Sequence, residues 1–271
     1  MQLAEKYRSV TQRLYPEYDA GGFTREDNSV IFYTRVQGLL EKHMTVLDFG
    51  AGTNIWANSP DRIRTRLMRL QGACETVIGV DPDPGVLNNP WLDQAICVQP
   101  GEPLPFEDET FDMIVSFAVF EHIDDPGFVS SELDRVLKPG GWLCAWTPNK
   151  WGYVGIGARL IPNRFHAKLL ATTFNSKQDT RQDSDVYPVR YQLNTMNRIK
   201  KLFPSPKYRH YSYYYNGPPS YHGERMILAL MYKWFEMLTP AFFDRYLHII
   251  IRKTGAPATG IADRETGVHL E

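Results

Sequence analysis

Three cysteines in 271 residues, none in a Cys-x-x-Cys pair, exclude a disulfide-stapled scaffold or a zinc ribbon. Cys74, Cys97 and Cys144 lie in or beside apolar runs and read as buried thiols in a reducing compartment. An excess of one charge is also missing. Lys and Arg number 30 and Asp and Glu 31, a net charge of -1, so no global attraction to nucleic acid or anionic lipid is expected beyond a local basic patch, and nucleic acid is not an expected partner. No His or Cys pair has metal-ligand spacing, no acidic loop suits calcium or magnesium, and no Gly-x-x-x-x-Gly-Lys loop occurs, so no metal site is expected. The chain has no internal repeat and no low-complexity tract. Met1 to Tyr18 is charged throughout and lacks the apolar core of a signal peptide, which leads to the expectation of a cytoplasmic protein. The apolar run from Met226 to Ile251 is broken by Lys233, Glu236, Asp244, Arg245 and His248, which excludes a spanning helix. Core packing is the first reading of that run. Peripheral contact with a bilayer or a second subunit is the alternative, because Trp234, Phe235, Phe242 and Phe243 are large for a surface.

What the chain does have is an apolar strand running into an acid and a glycine turn, Val46-Leu47-Asp48-Phe49-Gly50-Ala51-Gly52-Thr53, whose glycines let backbone approach a nucleotide-like ligand. Alone that turn is a weak signal. Val77-Ile78-Gly79-Val80-Asp81 follows, a second apolar strand ending in a carboxylate placed to accept hydrogen bonds from both ribose hydroxyls. Then come Gly101-Glu102-Pro103-Leu104-Pro105-Phe106, Thr110-Phe111-Asp112-Met113-Ile114-Val115-Ser116, Glu121-His122-Ile123 and Leu137-Lys138-Pro139-Gly140-Gly141-Trp142-Leu143. In this order and at this spacing the set resembles the class I S-adenosylmethionine-dependent methyltransferases. The likeness is strongest to the type 11 subgroup, which includes quinone-biosynthesis enzymes, and it covers roughly residues 44 to 150.

The resemblance implies an α/β fold: a Rossmann-like sheet, mostly parallel with an antiparallel last strand, flanked by helices and carrying an insertion after the fifth strand. The expected organisation is an N-terminal helical segment over 1–43, a cofactor-binding core over 44–150, a substrate cap over 151–206, a C-terminal completion of the sheet with an added helix over 207–255, and a tail over 256–271. Within it, Ser59-Pro60-Asp61 starts a helix running to about Gly72. Residues 130–137 form another helix, which Lys138-Pro139-Gly140-Gly141 ends and turns into a strand over Trp142–Thr147. A helix over 195–203, a strand over Lys207–Tyr215, a helix from about 222 to 238 and a strand over Leu247–Lys253 complete the pattern. Arg62, Arg64, Arg66 and Arg69 read as a solvated helix face rather than a phosphate site, since Ile63, Leu67 and Leu70 mark the buried side.

Carried over from the resemblance, Gly50, Ala51 and Gly52 approach the amino acid part of S-adenosylmethionine, and Asp48 anchors the loop or the ligand's ammonium. Asp81, next to Pro82, accepts from the ribose, while Ser116 and Phe117 wall the cofactor. Asn54 stands where the family has its third glycine, and Asn tolerates a left-handed backbone. Pro100 stands where relatives place an Asp for the adenine, leaving Gly101 backbone or Glu102 to hold that ring. His122 is the candidate base near neutral pH, with a purely structural role for the Glu121-His122 pair as the equal alternative. Arg164, His166, Arg181, Tyr187, Arg190 and Tyr191 are the substrate candidates, since Arg suits carboxylate or phosphate and Tyr suits a ring.

The function these residues imply is methyl transfer in line from S-adenosylmethionine to O or N of a small or lipid-linked acceptor. A sugar or glycan precursor is the first acceptor reading and a quinone or other lipid the second. A non-catalytic cofactor-binding or scaffolding protein is one alternative. A nicotinamide-dependent oxidoreductase is another, disfavoured because Gly50-x-Gly52-x-x-Ile55 lacks the third glycine.

Overall fold

The computed structural model describes residues 8–53, 62–153, 156, 188–220 and 222–255. At its centre is one sheet of strands β1 (Thr45–Phe49), β2 (Thr76–Asp81), β3 (Gln94–Cys97), β4 (Phe111–Phe117), β5 (Leu137–Pro148), β6 (Tyr208–His210), β7 (Tyr213–Tyr215) and β8 (Tyr246–Lys253). Their order is β3-β2-β1-β4-β5-β8-β6, with β7 also paired to β8. Strands β1 to β5 are parallel, and β8 runs antiparallel to β5 on one side and to β6 and β7 on the other. The expected Rossmann-like sheet with an antiparallel last strand is therefore present. Strand order reverses between β1 and β4, and an open sheet of this kind receives its ligand in the crevice beyond the carboxyl ends at that reversal.

The flanking helices are α1 (Val10–Leu14), α2 (Asn28–Leu39), α3 (Arg62–Met68), α4 (Pro126–Val136), α5 (Met196–Leu202) and α6 (Met226–Leu238). Their starts follow local chemistry. Asp27 caps α2 by accepting the Val30 amide at 3.0 Å, and Thr195 caps α5. Helix α4 begins at Pro126 rather than at 130, because Asp125 accepts the Gly127 and Phe128 amides and Pro126 supplies a helical φ at the first position. Lys138–Gly141 does not lie between helix and strand as expected. It is an irregularity inside β5, whose register with β4 shifts between Phe111 and Met113, with Gly140 at φ 83°. The single strand expected over Lys207–Tyr215 is split into β6 and β7. At the break the Tyr211 amide and the Ser212 hydroxyl both donate to the Ile250 carbonyl, at 2.8 and 3.3 Å.

Strand side chains alternate into two cores. Leu47, Val80, Ile114, Leu143 and Ile249 pack with Leu133, Met196 and Ile199 on one face. On the other, Val46, Val77, Met113, Val115, Cys144 and Ile250 pack against Phe32, Tyr33 and Val36 of α2. Helix α6 overturns the core reading for the first half of the C-terminal apolar run, while Leu247–Ile251 of the second half is buried in the sheet. Ala229 is buried, whereas Ile227, Met231, Trp234, Met237 and Leu238 are 77%, 62%, 65%, 71% and 73% exposed. The polar residues of α6 are the ones tied to the protein. The Lys233 ammonium donates to the Tyr15 hydroxyl at 2.7 Å and pairs with Glu26 at 3.2 Å, and Glu236 pairs with the buried Arg245 at 2.7 Å. Among the described residues no helix is long and apolar enough to cross a membrane.

Candidate functional site

The turn after β1 is held by the end of β2. The Gly50 and Ala51 amides donate to the Val80 carbonyl at 2.8 and 3.1 Å, and the Gly52 amide donates to the Asp81 carboxylate at 2.9 Å. The second Asp81 oxygen accepts the Asp83 amide at 2.8 Å. Each oxygen keeps acceptor capacity, because an ionised carboxylate has about four lone-pair sites. Asn89 donates to the Ala51 and Gly52 carbonyls at 3.1 and 3.0 Å, so a short turn after β2 braces the glycine turn from behind. Gly50 sits at φ 82°, and a Cβ there would lie 2.2 Å from a Val119 methyl. At Gly52, φ is 56° and, among the described residues, a Cβ would meet only an Asp81 oxygen, at 4.0 Å.

Asp48 stands beneath this turn beside Tyr33. Burial, with the charge of Asp81 added, pushes its carboxyl up to about 7. Burial also raises Asp81, against the pull of the Asp83 and Gly52 amides. Two acids desolvated together favour a cationic or hydroxyl-bearing ligand, which would relieve both.

At the carboxyl end of β4, Ser116 and Phe117 point to opposite faces of the sheet. The Ser116 hydroxyl is fully buried and has no hydrogen-bond partner among the described residues. Phe117 stacks on Trp146 with ring centroids 4.5 Å apart and planes at 14°. Trp146 continues to Tyr246 at 4.7 Å, and His248 lies next in the sheet between Tyr213 and Tyr215. His248 is buried, accepts the Tyr213 hydroxyl at Nδ1 (3.0 Å) and donates from Nε2 to Asn28 (2.6 Å). Burial and the charge of Arg35 push its pKa down to about 3, so the ring is neutral.

Beyond β4 a single 3-10 turn, Phe120–His122, meets the segment that begins at Pro188. The buried Glu121 carboxylate accepts the Thr147 hydroxyl at 2.9 Å, Thr147 accepts the Asn194 amide at 2.6 Å, and the Glu121 carbonyl accepts the Arg190 and Tyr191 amides at 2.6 and 3.2 Å. The His122 Nδ1 lies 3.2 Å from the Pro188 carbonyl, to which Nδ1–H donates.

Asp48, Gly50, Ala51, Gly52, Asp81 and Pro82 thus gather at the ends of β1 and β2, with Ser116 and Phe117 at the end of the neighbouring β4. Gly101 and Glu102 follow β3, and there the Glu102 carboxylate closes its own turn by accepting the Gln99 amide at 3.3 Å. Arg190 pairs with Asp124 at 2.6 Å. Asn54, Arg164, His166, Arg181 and Tyr187, with the expected helix start at Ser59-Pro60-Asp61 and the tail, lie outside the described residues. Sequence reasoning missed Asn89, Thr147 and His248, whose partners are far along the chain. Among the described residues no three His, Cys, Asp or Glu are placed to share a metal ion.

Residues 47–145, which contain this crevice, match the methyltransferase domain family. Over those residues the chain is similar to that family. Over 123 residues it is 28% identical to a ubiquinone biosynthesis O-methyltransferase from Bartonella tribocorum, covering 44% of this chain and 49% of that protein. Over 100 residues it is 35% identical to an uncharacterised methyltransferase from a Mycobacterium species, covering 36% of each. The chain thus spans half or less of the length of these relatives. In fold, it is similar to a Haloferax volcanii methyltransferase solved with the Trm112 methyltransferase activator (TM-score 0.52, 15% identity, 90% of this chain and 96% of that one). It is equally similar to the [4+2]-cyclase SpnF (TM-score 0.51, 15% identity, 91% and 93%). A methyltransferase fold therefore leaves the reaction to be argued from the site.

Proposed function

We propose that the protein is an S-adenosylmethionine-dependent methyltransferase acting on O or N of a small or lipid-linked acceptor. The observation that carries this reading is the pairing of Asp81 with the Gly52 amide at 2.9 Å, which sets an acid with spare acceptor capacity beside the glycine turn. The residues fit the cofactor: Asp81 for the ribose hydroxyls, the Gly50–Gly52 turn and Asp48 for the amino acid end, and Phe117 with the unpartnered Ser116 hydroxyl along the crevice. When bound, the sulfonium supplies an already activated methyl group, so the chain's own task is mainly to hold an acceptor in line, about 3–3.5 Å from it. His122, whose Nδ1 is turned to the Pro188 carbonyl, is the candidate base for a hydroxyl acceptor. Glu121, Thr147 and Asn194 hold the turn bearing His122 against the 188–194 segment.

A sugar or glycan precursor remains the first acceptor reading, supported by Arg190 and Tyr191 being bonded through their amides to the His122 turn. A lipid is the second, supported by the apolar outer face of α6. The test is transfer of a labelled methyl group to panels of glycan and lipid acceptors, with His122→Ala compared across pH. Loss of turnover with loss of the acidic limb of the pH profile supports the base. Full turnover in the variant on the same acceptor removes that role.

A further inference from the structure

Helix α6 is amphipathic in the wrong sense for a helix covering a soluble protein. Its polar residues, Lys233 and Glu236, are bonded inward to Tyr15, Glu26 and Arg245. Its outward residues Ile227, Leu230, Met231, Trp234, Met237 and Leu238 carry no charge and are between 42% and 77% exposed. Phe242, 40% exposed just beyond the helix, extends the same apolar surface. Exposed apolar patches on monomers seldom exceed about 300–600 Å². Six large side chains exposed to this degree along a helix about 20 Å long reach or exceed that range.

The chemistry of the occupant can be read from two features. The patch has no hydrogen-bonding group except the Trp234 indole N–H, whereas protein interfaces place a polar rim and roughly one hydrogen bond per 100–200 Å² around such a core. A tryptophan among aliphatic and methionine side chains suits the boundary between acyl chains and headgroups. The second feature is charge. Arg62, Arg66 and Arg69 line a cleft of about 730 Å³ with Gln37 and Gln71, and among the described residues no acidic side chain lines it. Both surfaces are anchored to one turn of the chain. Glu26 pairs with Lys233 of α6 at 3.2 Å, and the adjacent Asp27 pairs with Arg64 of α3 at 2.6 Å.

We infer that α6 is a membrane-docking surface that lies in the interface of a bilayer bearing anionic headgroups, with the Arg62, Arg66 and Arg69 cleft supplying the electrostatic part of binding. This goes beyond methyl transfer and is tested without it. The full chain is sedimented with neutral phosphatidylcholine vesicles and with vesicles containing phosphatidylglycerol. Ile227→Ser/Met231→Ser/Trp234→Ser and Arg62→Gln/Arg66→Gln/Arg69→Gln are run beside it, all checked for an unchanged far-ultraviolet spectrum. The expected result is binding of the wild-type chain to the acidic vesicles, a loss of at least tenfold in the apolar variant, and a fall to the neutral-vesicle level in the arginine variant. Because α6 variants can perturb the fold, quenching of Trp234 by brominated lipid, read against Trp234→Phe, is a second test. Wild-type protein left in the supernatant with both vesicles overturns the inference. So does a helix-dependent dimer in light scattering without vesicle binding, which would make a second copy the occupant.

Discussion

The Glu121 carboxylate accepts the Thr147 hydroxyl at 2.9 Å, joining the turn after β4 to the end of β5 inside the protein. Thr147 also accepts the Asn194 amide at 2.6 Å, so one hydroxyl holds the end of the sheet to two loops. Thr147→Val keeps the shape but removes the hydrogen bond to the buried Glu121 carboxylate and one of the two bonds of the Asn194 amide, which keeps the Pro148 carbonyl at 2.9 Å. The expected cost is about 1–3 kcal/mol in urea unfolding, with Thr147→Ser restoring most of it. A change within measurement error would mean that this hydroxyl is not what holds the two loops.

The two glycines of the turn should fail in different ways. At Gly50 a Cβ meets Val119 at 2.2 Å, so Gly50→Ala should lower stability and ligand affinity together. At Gly52 a Cβ would meet, among the described residues, only an Asp81 oxygen, at 4.0 Å, beside the proposed ligand site. Gly52→Ala should therefore cost only about 1 kcal/mol of stability, as expected for a non-glycine residue in the left-handed region, while weakening S-adenosylmethionine binding at least tenfold. Thermal melts and titrations of both variants separate the two cases.

Asp48 gives a proton linkage with a definite sign. Its carboxyl is raised from 3.8 to about 7 in the folded chain, so the stability it contributes is full below pH 3.8 and is lost as pH rises through 7. A ligand ammonium beside it favours the ionised form, so binding near pH 7 should release protons and tighten as pH rises from 6 to 8. Calorimetry in buffers of different ionisation enthalpy measures that release, and Asp48→Asn should abolish it.

His248 titrates in the opposite sense. Its pKa falls from 6.5 to about 3 on burial, so the folded state binds fewer protons than the unfolded one between these values. Its contribution is full above pH 6.5 and lost as pH falls towards 3. The imidazole resonances should still report a neutral ring at pH 5. A protonated ring at that pH would contradict the bonds to Asn28 and Tyr213.

The parallel sheet was legible in the sequence because its strands are short apolar runs closed by turn residues, and Asp81 because it ends such a run. Local chemistry also located α2, α5 and α6 within a few residues. The braces could not be read: Asn89 contacts Ala51, and Asn194 contacts Thr147, across 38 and 47 positions. Nor could the direction in which α6 faces. Its hydrophobic pattern reads as core until Lys233 and Glu236 find partners on the Tyr15–Glu26 segment and Arg245.

Asp81 and the Gly50–Gly52 turn are the proposed S-adenosylmethionine site. Calorimetric titration with S-adenosylmethionine and S-adenosylhomocysteine, with NAD and NADP as controls, tests it most directly. The account predicts saturable binding of both sulfur ligands that is lost in Asp81→Ala, with no response to the dinucleotides. Absence of binding by the wild-type protein, or equal binding by the variant, would contradict it.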